Sequence, residues 1–320
     1  MSFSPSVFCI KNANLAHDVP VRDETVPVRD EIVRDETVSV RDEIVRDETV
    51  DVIVPVRDET VPVRDETVRD VLFHDVSVRH TEYDDSVYKK YMSKLPEDKQ
   101  NYITSKRNKY FFSNLPRNIS SKIQMDVQAA YSVTEMDLAN QTSKYILTLI
   151  SKRGFLTITD ATACIGGNTI SFSNYFAYVN SVEIDPTRAE FLRNNLKLLC
   201  PDCNVKIFVA NYNDEYIQER LKQDVVFIDP PWGSNYFEKE TLSLSLSNKP
   251  LVEVCRDLLG KTSLIVIKVP YNFDFETFQK RGSEGGVLSN FDKKEIGKRR
   301  KNNGNQMPKF VIFSMKVVSK

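Results

Sequence analysis

Beyond residue 150 the chain alternates short apolar runs with longer stretches of mixed polarity. The runs 205–210, 225–228, 263–269 and 309–318 are rich in valine, isoleucine and phenylalanine and, with the more mixed 156–161 and 178–184, read as strands. The intervening stretches 168–176, 186–199, 215–222, 251–259 and 275–281 read as helices, the second opening on Pro186, as helix starts prefer. Strands alternating with helices predict an α/β fold: a parallel, doubly wound sheet with helices on both faces. Such sheets bind ligands at the carboxyl ends of their strands.

Upstream the pattern changes twice. Residues 84–110 are polar and helix-compatible, for example from Tyr88 to Leu95, and predict a small helical extension over 84–154. From Val21 to Asp70 the unit Val-Arg-Asp-Glu recurs at Val21, Val28, Val33, Val40, Val45, Val56 and Val63. Pro27, Pro55 and Pro62 interrupt any strand ladder, and the tract holds no aromatic residue to seed a core. It reads as low-complexity and disordered, so residues 1–83 form a tract apart from the fold. This acidic arm either shields a basic domain, binds a partner, or is a solvated expansion without a specific role.

Charge adds to that division. The net charge of −1 hides 12 Lys+Arg against 21 Asp+Glu in residues 1–90, and 32 against 24 in the remainder. A basic domain suits a polyanion such as nucleic acid. No run of 18 apolar residues offers a transmembrane helix. Residues 1–10 lack the basic and apolar segments of a secretory signal, so an intracellular setting is expected, nucleus or cytoplasm. The five cysteines are an odd number and fit a reducing compartment. Cys200 and Cys203 form a C-x-x-C, but His17, His74 and His80 all lie far upstream, so a plain loop pair is expected rather than a zinc or redox site, and no metal site is assigned.

Three motifs sit at expected strand ends. Asp160-Ala-Thr-Ala-Cys-Ile-Gly166-Gly167-Asn168 follows the first strand; paired glycines let the backbone turn tightly and approach a ligand. Val182-Glu183-Ile184-Asp185-Pro186 ends the second; an acid about 20 residues after the glycine turn can accept the ribose hydroxyl protons of a nucleoside cofactor. The absence of a full G-x-G-x-x-G tilts the reading from NAD toward S-adenosylmethionine. Helix N-terminal electrostatics alone also accounts for Glu183 and Asp185. The third motif, Val225-Val-Phe-Ile-Asp229-Pro230-Pro231-Trp232-Gly233, places an acid and the only tryptophan at a carboxyl edge. An exocyclic amino group is a poor nucleophile because its lone pair is delocalised. The Asp229 carboxylate and Pro230 carbonyl can accept its N–H protons and aim the lone pair at a methyl donor. Trp232 can stack on the base, more strongly if the base is cationic.

At these residues the chain resembles the class I methyltransferases, and within them the trimethylguanosine synthases. That family carries an Asp-x-x-x-Gly-x-Gly-Gly-Asn turn, an acidic strand end before Asp-Pro, and Pro-Pro-Trp-Gly. It also carries a Phe-Ser-Val-Thr segment entering a helix, here Tyr131-Ser132-Val133-Thr134-Glu135, and an arginine–asparagine pair, here Arg193-Asn194-Asn195. The likeness covers about residues 105–318, and a methyltransferase domain over 155–320 is expected. It implies that Asp160, Gly166, Gly167, Asn168, Glu183, Asn211 and Asp229 hold S-adenosylmethionine. It implies that Trp232, Tyr131, Thr134 and Lys268 meet the substrate, an m7G-capped RNA methylated at N2, with Asp229, Pro230 and Trp232 carrying the chemistry.

The sequence departs from the family at three places. Asp229 stands where several cap enzymes have serine, which also fits the Asp-Pro-Pro-aromatic motif of adenine-N6 methyltransferases. Gly233-Ser234-Asn235-Tyr236 replaces Gly-Gly-Pro-Asp-Tyr, and Cys164 stands at the first glycine of the turn. A base methyltransferase of other specificity and a non-catalytic RNA-binding module therefore remain open. Lys268 reads as a strand-end lysine near cap phosphates, against a ribose 2′-O-methyltransferase lysine. The cluster Lys293, Lys294, Lys298, Arg299, Arg300 and Lys301 reads equally as an RNA-phosphate contact, a localisation signal or a solvated hairpin loop.

Overall fold

The computed structural model describes residues 76–77, 82–106, 115–151, 154–284, 288–300, 306–307 and 309–317. The repeat tract at 21–70, and with it the expectation of disorder there, lies outside the described residues.

In chain order the elements begin with β1 (Val76–Ser77) and the helices α1 (Ser86–Met92), α2 (Glu97–Lys106), α3 (Arg117–Ser120), α4 (Ala129–Ser132) and α5 (Met136–Leu149). The alternating region follows: β2 (Thr157–Asp160), α6 (Gly167–Phe172), β3 (Tyr178–Glu183), α7 (Pro186–Leu199), β4 (Val205–Val209), α8 (Glu215–Arg220) and β5 (Val225–Ile228). After a small β6 (Ser245–Leu246) and β7 (Lys249–Pro250) hairpin come α9 (Leu251–Asp257), β8 (Leu264–Val269) and α10 (Phe275–Ser283). The chain then forms β9 (Leu288–Ile296), β10 (Arg299–Arg300), β11 (Gln306–Met307) and β12 (Phe310–Val317).

The main sheet runs β1-β4-β3-β2-β5-β8-β12-β9. Its middle five strands are parallel, as expected. The edge is not: β12 pairs antiparallel with both β8 and β9. A hairpin needs only a short connection, whereas a parallel strand needs a crossover of a dozen or more residues. The sheet is thus Rossmann-like and mostly parallel, closed by an antiparallel hairpin. Lys293 and Lys294 lie within β9 and not in a loop, because β12 requires that strand as its partner.

The central strands β5 and β8 are apolar except for Lys268 because both of their faces are covered. Val226, Ile228, Ile265, Ile267 and Val269 meet α8, α9 and α10 residues such as Ile217, Val254 and Phe278. The alternate positions Ile158, Val179, Val225, Phe227, Leu264 and Val266 meet Leu138 and Ile146 of α5, Ile170 of α6 and Leu192 of α7. Each such fully buried side chain contributes roughly 1.5–3 kcal/mol. The early helices α1–α4 form a separate cluster around Tyr88, Ile103, Ile123 and Met125, which closes on Phe191 of α7. Tyr88 and Tyr91 meet Phe191 edge-on at 5.3 Å and 5.6 Å.

Two predicted helices differ from those found. The helix placed over 168–176 is α6, six residues long, and α5 was visible beforehand only as the helix that the resemblance implied. Thr142, Ser143 and Asn140 make α5 look partly polar, yet Ser143 and Asn140 bond Ser171 of α6, so these polar groups form a contact between helices.

Candidate active site

The strand order reverses at β2, with β3 and β4 on one side and β5 and β8 on the other. A crevice at the carboxyl edge follows from that reversal. Side chains alternate faces along a strand, so Glu183, Asp160, Asp229 and Lys268 fall on the face that α5 to α7 cover, in line with Val179, Ile158, Phe227 and Val266. Because β3, β2, β5 and β8 are neighbours, these four form a row across the edge. The registers set Asp160 one two-residue step below the others, since it pairs with Ser181 and Phe227. Three acids and one lysine thus occupy adjoining strand ends about 4.8 Å apart.

Asp160 is fully buried. It accepts a bond from Thr169 Oγ1 at 2.7 Å and from the Thr162 amide at 3.3 Å. Burial pushes its carboxyl up to about 7; Thr169 and Thr162 pull it down, and the charges of Asp229 and Glu183 add to the rise. Glu183 is held by two amides: Cys164 N–H at 2.8 Å and Asp185 N–H at 2.9 Å. Burial also raises its carboxyl, opposed by the Asp185 amide and by Arg188, whose Nη1 lies 3.5 Å away. Asp185 caps α7 through the Arg188 amide at 3.0 Å, which is the helix-terminal role foreseen for it.

Between these acids runs the glycine turn. Gly166 has φ +101°, and a Cβ on it would lie 2.8 Å from Leu192 Cδ1. A Cβ on Gly167 would lie 2.7 Å from Val133 Cγ2 and 2.9 Å from the Thr134 carbonyl, so the 133–134 segment packs directly on the turn. Cys164, the position where the resembled turn has glycine, has φ 51° and so adopts the left-handed conformation that glycine takes without strain. Asn168 lies in the first turn of α6, and its buried Oδ1 has no partner among the described residues. A turn with no room for side chains, an unpartnered acceptor and buried carboxylates together fit S-adenosylmethionine, which offers hydroxyl and ammonium donors and a cationic sulfur.

On the other side of the reversal, Lys268 joins the parts. Its ammonium donates to Asp229 Oδ2 at 2.6 Å and Thr134 Oγ1 at 2.8 Å. It also stands 5.3 Å from the centre of the Trp232 ring and 4.8 Å from that of Phe310. At 5% exposure it is buried at the strand end. Its strand position points it inward, and the carboxylate of Asp229 compensates for the burial. Burial pushes the Asp229 carboxyl up and Lys268 pulls it back. The Asp229 amide donates to Thr162 Oγ1 at 2.8 Å, tying the ends of β5 and β2. Trp232 packs edge-on to Tyr236 at 5.1 Å, with a buried Nε1 that has no partner among the described residues. Pro230 is buried, while Pro231 is exposed.

The structure therefore brings Thr134, Asp229, Trp232 and Lys268 into one cluster beside Asp160. Asn211 and Tyr131 have other contacts: Asn211 Oδ1 accepts from the Asn213 amide at 3.1 Å, and Tyr131, 68% exposed, stacks on Tyr102 at 4.9 Å. Thr162, Thr169 and Phe310 went unnoticed in the sequence; the two threonines lie inside or beside the first motif, which was a usable signal. Asn195 explains the asparagine pair: its amide donates to the Gln124 and Ile165 carbonyls at 2.9 Å and 3.0 Å, stitching the upstream segment to the turn.

The described helices include none long and apolar enough to cross a membrane. A solved structure of a proposed methyltransferase from Porphyromonas gingivalis shares 14% identity over 70% of this chain and 51% of its own, with a TM-score of 0.47. The magnesium protoporphyrin IX methyltransferase of Synechocystis, solved with bound S-adenosylmethionine, shares 9% over 70% of this chain and 99% of its own, at a TM-score of 0.42. An uncharacterized protein of Acanthamoeba polyphaga mimivirus is 39% identical over 127 residues, 38% of this chain, which spans about half (49%) of that relative's length. The family model described as RNA cap guanine-N2 methyltransferase matches residues 155–314, half of the chain and the whole of the row of acids, the glycine turn and Trp232. The chain belongs to that RNA cap guanine-N2 methyltransferase family.

Proposed function

We propose that the chain transfers a methyl group from S-adenosylmethionine to the exocyclic N2 of 7-methylguanosine in RNA caps. The observation that carries this reading is the Thr134–Lys268–Asp229 contact set beside Trp232, at the point where the strand order reverses. The donor supplies a methyl group made electrophilic by a cationic sulfur. This chain's residues do the rest. Asp160, Glu183, the Gly166–Gly167 turn and Asn168 bind and orient the donor. Trp232 stacks on the cationic guanine, an arrangement worth about 0.5–2 kcal/mol. Asp229 and the Pro230 carbonyl accept the N–H protons of the amino group, so that its lone pair faces the methyl. Lys268 fixes the orientation of the Asp229 carboxylate and, with Thr134, closes the floor beneath it.

A carboxylate in place of a serine hydroxyl also supports a second reading, transfer to adenine N6. The deciding experiment incubates the protein with labelled S-adenosylmethionine and, separately, an m7G-cap analogue, GTP, and uncapped RNA and DNA oligonucleotides. Transfer to the cap analogue alone, lost in Trp232→Ala, is the expected result. Label on adenine in the oligonucleotides and none on the cap overturns it in favour of the second reading.

A further inference from the structure

We infer that Cys200 and Cys203 form a redox-active dithiol that closes to an intramolecular disulfide by exchange with a small disulfide such as oxidised glutathione. Cys200 ends α7, and the Cys203 amide donates back to its carbonyl at 3.1 Å, making a tight turn. That turn brings the two sulfurs to 2.9 Å, with the Cys203 thiol donating to Cys200 Sγ. A disulfide bond is roughly 2.0 Å long, so closure needs only a small side-chain adjustment. Both cysteines are partly exposed, and Pro201 and Asp202 between them are exposed, so a small disulfide can reach the pair.

The other described cysteines differ. Burial pushes the thiols of Cys164 and Cys255 up, the former to about 12. Cys200 moves the opposite way, because the Cys203 thiol bonds its sulfur and favours the thiolate. Cys203 is raised by the same contact, as a resolving thiol would be. Among the described residues no group of three or more His, Cys, Asp or Glu is placed to hold a metal ion.

The exchange balances as follows. The Cys200 thiolate attacks one sulfur of oxidised glutathione, forming a mixed disulfide and expelling one glutathione thiolate. The Cys203 thiol then gives up its proton, attacks Cys200 Sγ and expels the second glutathione. Two protein thiols are oxidised and one glutathione disulfide is reduced to two thiols. Because the pair sits at the C-terminus of α7, the helix dipole does not favour the thiolate as an N-terminus would. A dithiol without that support closes to its disulfide more readily than the dithiol of an oxidising catalyst, whose reduced form is stabilised. The pair lies just before β4, at the end of the sheet opposite Asp160 and Asp229, so its chemistry is independent of methyl transfer.

The test equilibrates the full chain over a range of reduced-to-oxidised glutathione ratios, traps free thiols with an alkylating reagent, and digests with trypsin. Cleavage after Lys197 and Lys206 leaves both cysteines in one peptide, residues 198–206. The expected result is a peptide lighter by two hydrogens and free of alkylation, restored by dithiothreitol, with Cys203→Ser trapping a glutathione adduct on Cys200. The variant Cys255→Ser leaves the result unchanged. Alkylation of both cysteines at every ratio, or glutathione adducts in the parent chain without closure, overturns the inference.

Discussion

Asp160 and Asp229 end neighbouring strands and face the same way, the first buried and the second largely so, yet they are compensated differently. Among the described residues Asp160 has only neutral donors, Thr169 and the Thr162 amide, and its carboxyl is pushed up to about 7. Asp229 has a lysine ammonium at 2.6 Å. A buried carboxylate without a cation is costly. One side of the crevice is therefore left needing positive charge, which, on the proposed function, the cationic methyl donor would bring. The other side is internally paired and rigid before any ligand arrives. The difference separates a surface built to gain a charge from one built to hold a geometry.

The severest way to break this comparison is Lys268→Met. It leaves Asp229 buried without its cation, and loss of about 3–5 kcal/mol in denaturant unfolding is expected. The double variant with Asp229→Asn recovers most of that loss; two equal losses that add would sink the pairing argument. Asp229→Asn alone keeps the shape, removes an acceptor and adds a donor. A fall in kcat of about a hundredfold or more is expected, with the affinity for S-adenosylmethionine changed much less. A matched fall in affinity would mean that Asp229 serves the donor and not the base.

Gly167→Ala probes the shared wall. Its Cβ would press on Val133 and the Thr134 carbonyl at under 3 Å. About 1–3 kcal/mol of stability should be lost, together with transfer activity, since Thr134 moves with the clash. Unchanged melting and rate would show that the 133–134 segment yields freely. Asp160 is tested through pH. Its folded carboxyl, at about 7, is raised above the ordinary value of 3.8. Protonation dominates below 7, so affinity for a cationic donor should weaken there by up to tenfold per pH unit and level off above. Titration calorimetry should show proton release on binding near pH 6.5, and Asp160→Asn should abolish both effects. A flat profile in the parent chain would remove Asp160 from donor binding. The smallest effect expected is Cys164→Gly. Relief of the left-handed backbone, about 1 kcal/mol, is partly offset by the extra freedom glycine gives the unfolded chain, so thermal melting should be unchanged or slightly higher. Cys164→Val should melt clearly lower.

The sequence was most legible where local chemistry repeats a known requirement. The strands 225–228 and 264–269 showed themselves as apolar runs, the helix 186–199 by its proline start, and the turn by Gly166 and Gly167. Helix α5 was less legible, because Ser143 and Asn140 face α6 and disguise an apolar face. Strand β9 was missed because its exposed Lys293 and Lys294 read as a loop; an edge strand is free to be polar on its open side. Lys268 was noticed, but its partners could not be inferred from the sequence, since Thr134 and Asp229 lie 134 and 39 positions away.

What the sequence determined by itself was the set of groups placed at strand ends: Asp160, Glu183, Asp229, Trp232 and Lys268 each follow or close an apolar run. Alternation along a strand is a local property, so even the face each would take was implicit. Only the tertiary structure decided which of them meet. The order β3-β2-β5-β8 makes neighbours of residues far apart in the chain, and burial against α5 turns Asp229 and Lys268 into an ion pair while leaving Asp160 without a cation. Strand order is set by how helices cross over and cover the sheet, a balance of packing over the whole domain that no short stretch of sequence contains.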